Sequence, residues 1–352
     1  MELQQMLNTI KELDPDQMKA AQDRLDSLSK PLGSLGRLEE FAVRLAGITG
    51  ELYPRIDRKA VVIMCSDNGV VDEGVAQVSR SVTAAVTRNF LKGITGINVL
   101  STHAGAETVI VDMGVEDDLD LEGICRRKIR KCTWNIARGP AMTREEAVKA
   151  IETGIELVGD LKRRGYNLLG TGEMGIGNTT TSSAIAAVLT GKPVESVVGK
   201  GAGLSSEGLA NKIRVVSQAI AINRPDPQDA LDVLAKLGGF DIAGLAGCFI
   251  GAAVFRMPIV MDGFITAVAA LLAVRMHSGV RSFIFPSHGS AEPGNKAVME
   301  MLGFEPILNL SMRLGEGTGA ALAFHILDAA VAAYTSMGTF ADAEIKQYEP
   351  LA

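Results

Sequence analysis

The sequence predicts an α/β protein in which helices cover both faces of a parallel sheet. Short runs of apolar, often β-branched residues recur along the chain, and AVVIMC at 60–65 is the first of them. Such runs are typical of strands that are buried on both faces. Segments with helical spacing separate the runs, and polar, glycine-containing loops follow several of them. This alternation indicates a parallel sheet, whose ligands bind at the carboxyl ends of the strands.

The first 54 residues are predicted to form a helical arm ahead of the sheet. Apolar residues recur at helical spacing from Leu25 to Leu45. The stretch KPLGSLG at 30–36 is interpreted as a loop that ends one helix and starts the next, and Tyr53-Pro54 closes the arm.

The remaining elements follow in chain order. Strands are predicted at 60–65, 108–112, 166–170, 258–262, 282–285 and 307–310. Helices are predicted at 81–91, 97–104, 143–164, 179–189, 213–223 and 227–237, and over most of 319–348 with breaks near Gly338. The helix at 143 starts with a capping box, Thr143-Arg-Glu-Glu146. Polar loops at 66–69, 170–173, 262–263 and 287–290 fall at predicted strand ends and make candidate site loops.

Composition and charge exclude several classes of protein. The net charge of −6 argues against a nucleic-acid partner, and the basic run at 126–131 is interpreted as a solvated edge strand or helix face. The four cysteines lack metal-site spacing and suit reduced thiols in the cytoplasm. The acidic, amphipathic N-terminal segment does not resemble a signal peptide.

The apolar region 242–274 is too interrupted to predict a membrane span. Arg256, Pro258 and Asp262 break it into runs shorter than a spanning helix needs. A G-x-x-x-G at 247–251 indicates a closely packed buried helix instead. The region and the helical chain ends are also candidates for a subunit interface.

Residues 170–180, GTGEMGIGNTT, nearly match two phosphate-binding patterns. Gly170 to Gly175 fits the dinucleotide pattern G-x-G-x-x-G, and Gly172 begins a triphosphate loop in which Asn178 replaces the usual Lys. The missing Lys argues against ATP hydrolysis, and Glu195 is poorly placed to bind a ribose. The stretch therefore predicts a site for one phosphate, that of a mononucleotide, at a helix N-terminus. A tight turn without a ligand is the alternative.

Three side chains are candidates for charge and acid–base work. Lys212, on a helix that follows the glycine cluster 199–203, can supply the missing positive charge, although a solvated lysine is equally consistent. Glu316 lies between two glycines before an apolar helix, which suits either a general base or a helix cap. Glu173 is a second carboxylate able to share that work. No metal or serine-nucleophile motif is present, and neither a cofactor nor a metal is expected.

Together these motifs resemble the nicotinate-nucleotide:dimethylbenzimidazole phosphoribosyltransferase family of cobalamin nucleotide-loop assembly. The resemblance covers nearly the whole chain, in order, and Asn68 is one departure because many members carry His there. The motifs that carry it are KPLGSLGRLE at 30–39, DNGVV at 67–71, GEMGIGNTT at 172–180, GKGAG at 199–203 and LGEGTG at 314–319.

The resemblance implies a fold, a reaction and a set of site residues. It implies a large Rossmann-like domain at 55–319, a small helical domain made from 1–54 and 320–352, and a homodimer. Nicotinate mononucleotide would give its ribose 5-phosphate to 5,6-dimethylbenzimidazole or a related azole, forming α-ribazole 5′-phosphate and nicotinate. Glu316 would be the general base and Glu173 would lie beside the substrates. The donor would contact Gly172, Gly175, Ile176, Gly177, Asn178, Thr179, Gly203, Lys212, Asp262 and Ser290, and the azole would contact Asp67 and Leu314.

Two other functions remain open on the residues alone. A nicotinamide-dependent oxidoreductase predicts dinucleotide binding and hydride transfer. A mononucleotide sensor predicts binding without turnover.

Overall fold

A computed structural model describes residues 2–201 and 203–347. At its centre is a sheet whose strands are β1 Lys59–Ser66, β2 Ala106–Gly114, β3 Ile124–Arg126, β4 Leu168–Met174, β5 Ile259–Met261 and β6 Ile284–Pro286. The six strands are ordered β3-β2-β1-β4-β5-β6 and every neighbouring pair is parallel. This is the strand order of a Rossmann fold, with the reversal of direction between β1 and β4. The predicted fold class is confirmed.

Helices surround this sheet. They are α1 Leu3–Leu7, α2 Pro15–Ser27, α3 Arg37–Thr49, α4 Ser81–Leu91, α5 Gly96–His103, α6 Arg144–Arg163, α7 Asn178–Thr190, α8 Val194–Val197, α9 Ser206–Asn223, α10 Ala230–Leu237, α11 Phe240–Val254, α12 Phe264–Met276, α13 Pro293–Leu302 and α14 Thr318–Ser336. Short 3₁₀ helices occupy Gly69–Glu73 and Ser278–Phe283. Helices α11 and α12 cover one face of the sheet, while α5 and α14 cover the other.

The apolar region 242–274 forms the interior of the subunit. Helix α11 is buried from Phe240 to Ala253, so this region does not supply a subunit interface, contrary to the expectation. The glycine pattern has the predicted packing role, because a Cβ on Gly247 would lie 2.1 Å from the Ile151 carbonyl of α6. By length and composition α14 is the one described helix able to cross a membrane, but half of it is buried in the fold, as in a core helix.

The two ends of the chain meet in a separate helical cluster. Leu25 from α2, Leu28 directly after that helix, Ala42 from α3 and Tyr334 from α14 pack together. The Tyr334 hydroxyl donates to the Leu52 carbonyl at 2.7 Å. In the motif at 30–39, which connects α2 to α3, Lys30 and Glu39 form a buried ion pair at 2.8 Å. The domain boundaries stay a prediction: α14 also packs on β4 and β5, and 348–352, which include the predicted end of the tail helix, lie outside the described residues.

Several element predictions need correction. Residues 307–310 do not form a strand, since a single bridge joins Leu308 to His288 beyond the short edge strand β6. The strand predicted at 282–285 begins at Ile284 because a 3₁₀ helix occupies the preceding residues. Helices α8, α12 and α13 were not predicted. The basic run 126–131 begins in β3 at the sheet edge, as expected, and Arg130 pairs with Glu146 at 2.8 Å.

Candidate active site

A cleft of about 250 Å³ opens at the carboxyl ends of β4, β5 and β6. Both candidate carboxylates, Glu173 and Glu316, line it. So do residues from the other predicted loops: Gly175, Ile176, Asn178, Thr179, Asp262, Ser290 and Leu314. The structure therefore brings together most of the residues predicted from separate motifs.

The first glycines of the opening motif belong to a strand and not to a loop. Strand β4 was predicted to end at Gly170, but it continues to Met174. A Cβ on Gly172 would lie 2.2 Å from the carbonyl oxygen of Glu316. Gly172 thus permits the backbone around Glu316 to lie directly on the sheet, and it contacts that backbone rather than an open anion-binding loop.

Glu316 is held in an uncommon backbone conformation. Three consecutive residues have positive φ: +79° at Gly315, +63° at Glu316 and +97° at Gly317. A non-glycine residue in this region carries a conformational cost, which is often found at functional sites. The Glu316 Oε2 atom accepts a hydrogen bond from the Ile97 N–H, in the first turn of α5, at 3.2 Å. The carboxylate thus caps α5 and not the helix that follows it in sequence.

Burial raises the pKa of Glu316, against the Ile97 hydrogen bond, which lowers it, while the charge of Asp262 raises it further. A carboxylate with a raised pKa is a stronger base near neutral pH than an ordinary surface Glu.

The side chain at the position of the missing Lys forms hydrogen bonds with two acids. The Asn178 amide nitrogen donates to the carboxyl group of Glu173 and, at 3.1 Å, to Asp241 Oδ2. Asn178 therefore joins two buried acids. Burial and then the charge of Asp241 raise the pKa of Glu173 to about 8.

A smaller pocket of about 90 Å³ beside the cleft has the character of a phosphate site. It is lined by Gly175, Ile176, Gly177, Asn178, Thr179, Gly203 and Lys212. The N-terminus of α7 borders it without a side-chain cap from the described chain. A helix N-terminus attracts anions.

Lys212 supplies the positive charge of this pocket. Its ammonium group is buried and donates to Thr179 Oγ1 at 2.8 Å and to the Gly199 carbonyl at 3.2 Å. No ion pair with Lys212 occurs among the described residues, so its third N–H remains for a ligand. Burial lowers the pKa of Lys212 to about 8, a charge penalty that a bound phosphate would relieve.

Asp262 holds the start of α14 in place. Its carboxylate accepts hydrogen bonds from the backbone N–H groups of Gly317, Gly319 and Ala320 at 3.2, 2.7 and 3.2 Å. Its Oδ1 also lies 3.6 Å from His288 Nε2. Asp262 thus fixes the turn that presents Glu316, while Ser290 borders the cleft beside Gly263.

The two residues predicted at the azole have different surroundings. Leu314 is 59% exposed and overhangs the cleft next to Gly96, where it offers an apolar surface to a flat ring. Asp67 is buried at the end of β1, and its carboxylate accepts from the Glu116 N–H at 2.8 Å. Asp67 is not among the residues that line the cleft.

Three functional candidates were missed by sequence reasoning: Asp241, His288 and Arg313. Asp241 lies in an apolar helix that carried no motif. His288 was noted in a site loop without a role, and the signal was its position after a strand. Arg313 lines the cleft and is the one Arg or Lys to do so in the part of the chain that the structure describes.

Within the same described ranges, no three His, Cys, Asp or Glu side chains are grouped to hold a metal ion.

Comparison with known protein families identifies the general class of enzyme to which the chain is similar. The family profile described as phosphoribosyltransferase matches residues 10–345. A Rossmann-like sheet with a phosphate pocket and cleft carboxylates at its carboxyl edge is consistent with that class.

The chain belongs to the nicotinate-nucleotide–dimethylbenzimidazole phosphoribosyltransferase family. It is 64% identical to the protein of that name from Ruminiclostridium cellulolyticum, over all of both chains. It is 66% identical to the one from Acetivibrio thermocellus, over 98% of this chain and 99% of the relative. The crystal structure of CobT from Thermus thermophilus superposes with a TM-score of 0.90 at 41% identity, covering 95% of this chain and 100% of that one.

Proposed function

We propose that this protein transfers ribose 5-phosphate from nicotinate mononucleotide to 5,6-dimethylbenzimidazole, giving α-ribazole 5′-phosphate and nicotinate for cobalamin nucleotide-loop synthesis. One observation carries the proposal: two adjoining pockets of the same site have complementary chemistry. A buried lysine and an uncapped helix N-terminus border the first pocket, and a carboxylate with a raised pKa borders the second. The first suits the donor phosphate, and the second suits the proton of the acceptor.

The reaction needs few groups beyond these. The donor carries a pyridinium, so nicotinate departs with the bonding electrons as a neutral ring nitrogen. One nitrogen of the azole forms the new bond to C1′ from the opposite face, which converts a β linkage into an α linkage. The second azole nitrogen then loses its proton, and the Glu316 carboxylate accepts it. Such proton transfer typically contributes about 10²–10⁴-fold to the rate.

The donor is proposed to lie across both pockets. Its phosphate would occupy the pocket lined by Gly175, Ile176, Gly177, Thr179, Gly203 and Lys212. Asn178 would act through the two carboxyl groups to which it donates, and Gly172 through the Glu316 backbone that packs on it. Its ribose would lie near Asp262 and Ser290, and the azole would pack under Leu314. Asp67 would act on the azole through the backbone of the loop after β2, since it bonds to Glu116.

The assembly and location are proposed with the function. We expect a homodimer in the cytoplasm. Ile94, Val99 and Leu314 are 65%, 63% and 59% exposed; Ile94 and Val99 are close in sequence to Gly96, beside which Leu314 lies. An exposed apolar patch of this kind suits a protein interface. Light scattering should give twice the chain mass, and a Val99→Asp variant should shift toward the monomer.

The test is a metal-free incubation with nicotinate mononucleotide and 5,6-dimethylbenzimidazole, in which nicotinate and ribazole phosphate are measured by chromatography with mass detection. Glu316→Gln should lose about 10²–10⁴-fold in turnover with an unchanged fold. Glu195→Gln is the matched control, because Glu195 is the exposed acid that a dinucleotide site would need. It should leave turnover intact.

Other outcomes separate the alternatives. Binding of the mononucleotide without any product would support the sensor. Tight dinucleotide binding that Glu195→Gln weakens, with hydride transfer, would support the oxidoreductase. Near-normal turnover in Glu316→Gln would remove Glu316 from its proposed role and leave the reaction itself in place.

A further inference from the structure

Asp241 is a buried acid in the first turn of α11, one residue layer behind the cleft. Glu173 and Asn178 line the cleft, but Asp241 does not. The single amide nitrogen of Asn178 donates to both the Glu173 and the Asp241 carboxyl groups. The two acids are therefore linked through one donor and titrate as a coupled pair.

The fold is built closely around the Asp241 carboxyl group. A Cβ on Gly175 would lie 2.7 Å from Asp241 Oδ2, and a Cβ on Gly239 would lie 2.3 Å from Oδ1. A side chain at either position would therefore collide with the Asp241 carboxyl group. Neither Asp241 nor Glu173 forms an ion pair with a Lys or Arg in the described ranges, so hydrogen bonds alone must hold any charge.

Asp241 has the better surroundings for a negative charge. It accepts from the Ile242 N–H at 3.0 Å and from Asn178, and an Asn68 hydrogen bond also lowers its pKa. It lies at the N-terminus of α11, where the helix dipole favours an anion. Burial nonetheless raises the pKa of Asp241, to about 6.

Glu173 has poorer surroundings for a negative charge. It has the Asn178 donor and a hydrogen bond with the Glu316 backbone. The ionisable groups that face it are acids and a thiol: Asp241 from α11, Asp262 from the end of β5, and Cys65 from β1. Two buried acids that share one donor do not both ionise readily, and the proton should remain on the one with fewer donors.

We propose that Asp241 is a positioning residue that, through Asn178, keeps Glu173 protonated at neutral pH. Glu173 then faces the cleft as a neutral hydrogen-bond donor, and Glu316 is the base. The two cleft acids thereby have different tasks: one accepts the azole proton, and the other donates a hydrogen bond to a substrate oxygen. The kinetic consequence rests on the proposed function, whereas the protonation state does not.

The protonation state can be measured without turnover. Infrared spectra of the full-length protein should show, at pH 7, a carboxylic-acid C=O band that is missing in Glu173→Gln. In wild type this band should disappear as the pH rises through about 8. In Asp241→Asn it should disappear at a pH lower by on the order of one unit, because a like charge has been removed. Asp112→Asn, which neutralises a buried acid on β2, is the control and should leave the band at its wild-type position.

Kinetics provide the second readout. If the proposed reaction is observed, the fall of kcat/KM at alkaline pH should move to lower pH in Asp241→Asn, while a merely structural defect would lower the whole profile without moving it. Asp241→Ser, smaller than Asp, replaces Asp241→Asn if that variant does not fold. An unshifted band in the folded variant, or no Glu173 acid band in wild type at pH 7, would overturn the proposal. Absent turnover with a shifted band would count against the reaction alone.

Discussion

Replacing Gly172 by Ala should damage catalysis more than stability. Gly172 lies within β4, and no substrate contact is needed for this effect. The new Cβ would lie 2.2 Å from the Glu316 carbonyl oxygen, 2.6 Å from its carbonyl carbon and 2.9 Å from the Gly317 nitrogen. All three are backbone atoms, which cannot rotate away as a side-chain tip does.

The size of the disturbance follows from these distances. Ordinary contact begins at 3.4 Å, so the Glu316 carbonyl must move away by about 1.2 Å, or β4 must bend. The turn has little freedom to absorb this, since three consecutive residues already have positive φ and Asp262 holds Gly317 and Gly319. A misplacement of about 1 Å at a catalytic group costs on the order of 10²-fold in rate. Overpacking of this kind costs about 1–3 kcal/mol in stability.

Gly170→Ala is the matched control. Gly170 lies two residues earlier on the same face of β4, and its Cβ would meet side-chain atoms, Phe324 Cζ at 3.0 Å and Ala320 Cβ at 3.1 Å. We expect a comparable loss of stability in thermal unfolding, but turnover close to wild type. For Gly172→Ala we expect about a 10²-fold loss in kcat with a smaller change in KM for the donor, because the phosphate pocket belongs to α7 and α9.

The comparison between the two variants decides the matter. Equal turnover in Gly172→Ala and Gly170→Ala, with both proteins folded at the assay temperature, would refute the reasoning. It would mean either that the Glu316 backbone yields without moving the carboxylate, or that the carboxylate does not need its present position.

Two further predictions concern the charges of the site. Lys212→Met should raise KM for nicotinate mononucleotide by roughly 10- to 100-fold, since a hydrogen bond to a charged group contributes about 1.5–3 kcal/mol. Burial lowers the pKa of Lys212 from 10.5 to about 8 in the folded protein, so the charged lysine destabilises the fold most below pH 8. Any gain in thermal stability of Lys212→Met over wild type should therefore shrink between pH 8 and 10.5, as the wild-type lysine loses its charge. A gain that grows with pH would contradict this. Arg313→Gln should lower the preference for nicotinate over nicotinamide mononucleotide in kcat/KM, because Arg313 is the one cleft-lining Arg or Lys of the described residues able to meet the ring carboxylate. An unchanged ratio would place that carboxylate elsewhere.

Much of the fold was predictable because buried parallel strands leave a strong local signal. The run at 60–65 is apolar throughout, the run at 108–112 has three apolar residues at its centre, and both became central strands. The capping box at Thr143 marked the start of α6 correctly. The errors fall where the local signal is weak: at the short edge strand β6, and at 307–310, where the chain makes one bridge to a loop.

The candidate site was less predictable, because side-chain direction and inter-element contacts decide it. Sequence placed Lys212 near a phosphate on the argument that one charge was missing, and the structure brings it to Thr179. Sequence could not indicate that Glu316 would bond to α5, more than two hundred residues earlier in the chain. Nor could it show that Asp241 meets Asn178, because nothing in an apolar helix marks the one polar residue as a partner.

The replacement of Lys by Asn at position 178 follows from the charge layout of the site. Its side-chain amide donates to both members of the Glu173–Asp241 pair. A Lys at 178 would pair with those acids, lower the pKa of Glu173 and remove the proton that we propose it keeps. The phosphate charge would therefore be met from another element, and we propose that Lys212 on α9, which donates to Thr179, meets it. The site thus has Lys212 at the proposed phosphate end and its acids in the middle, where the pyridinium of the donor and the developing charge on the ribose would lie.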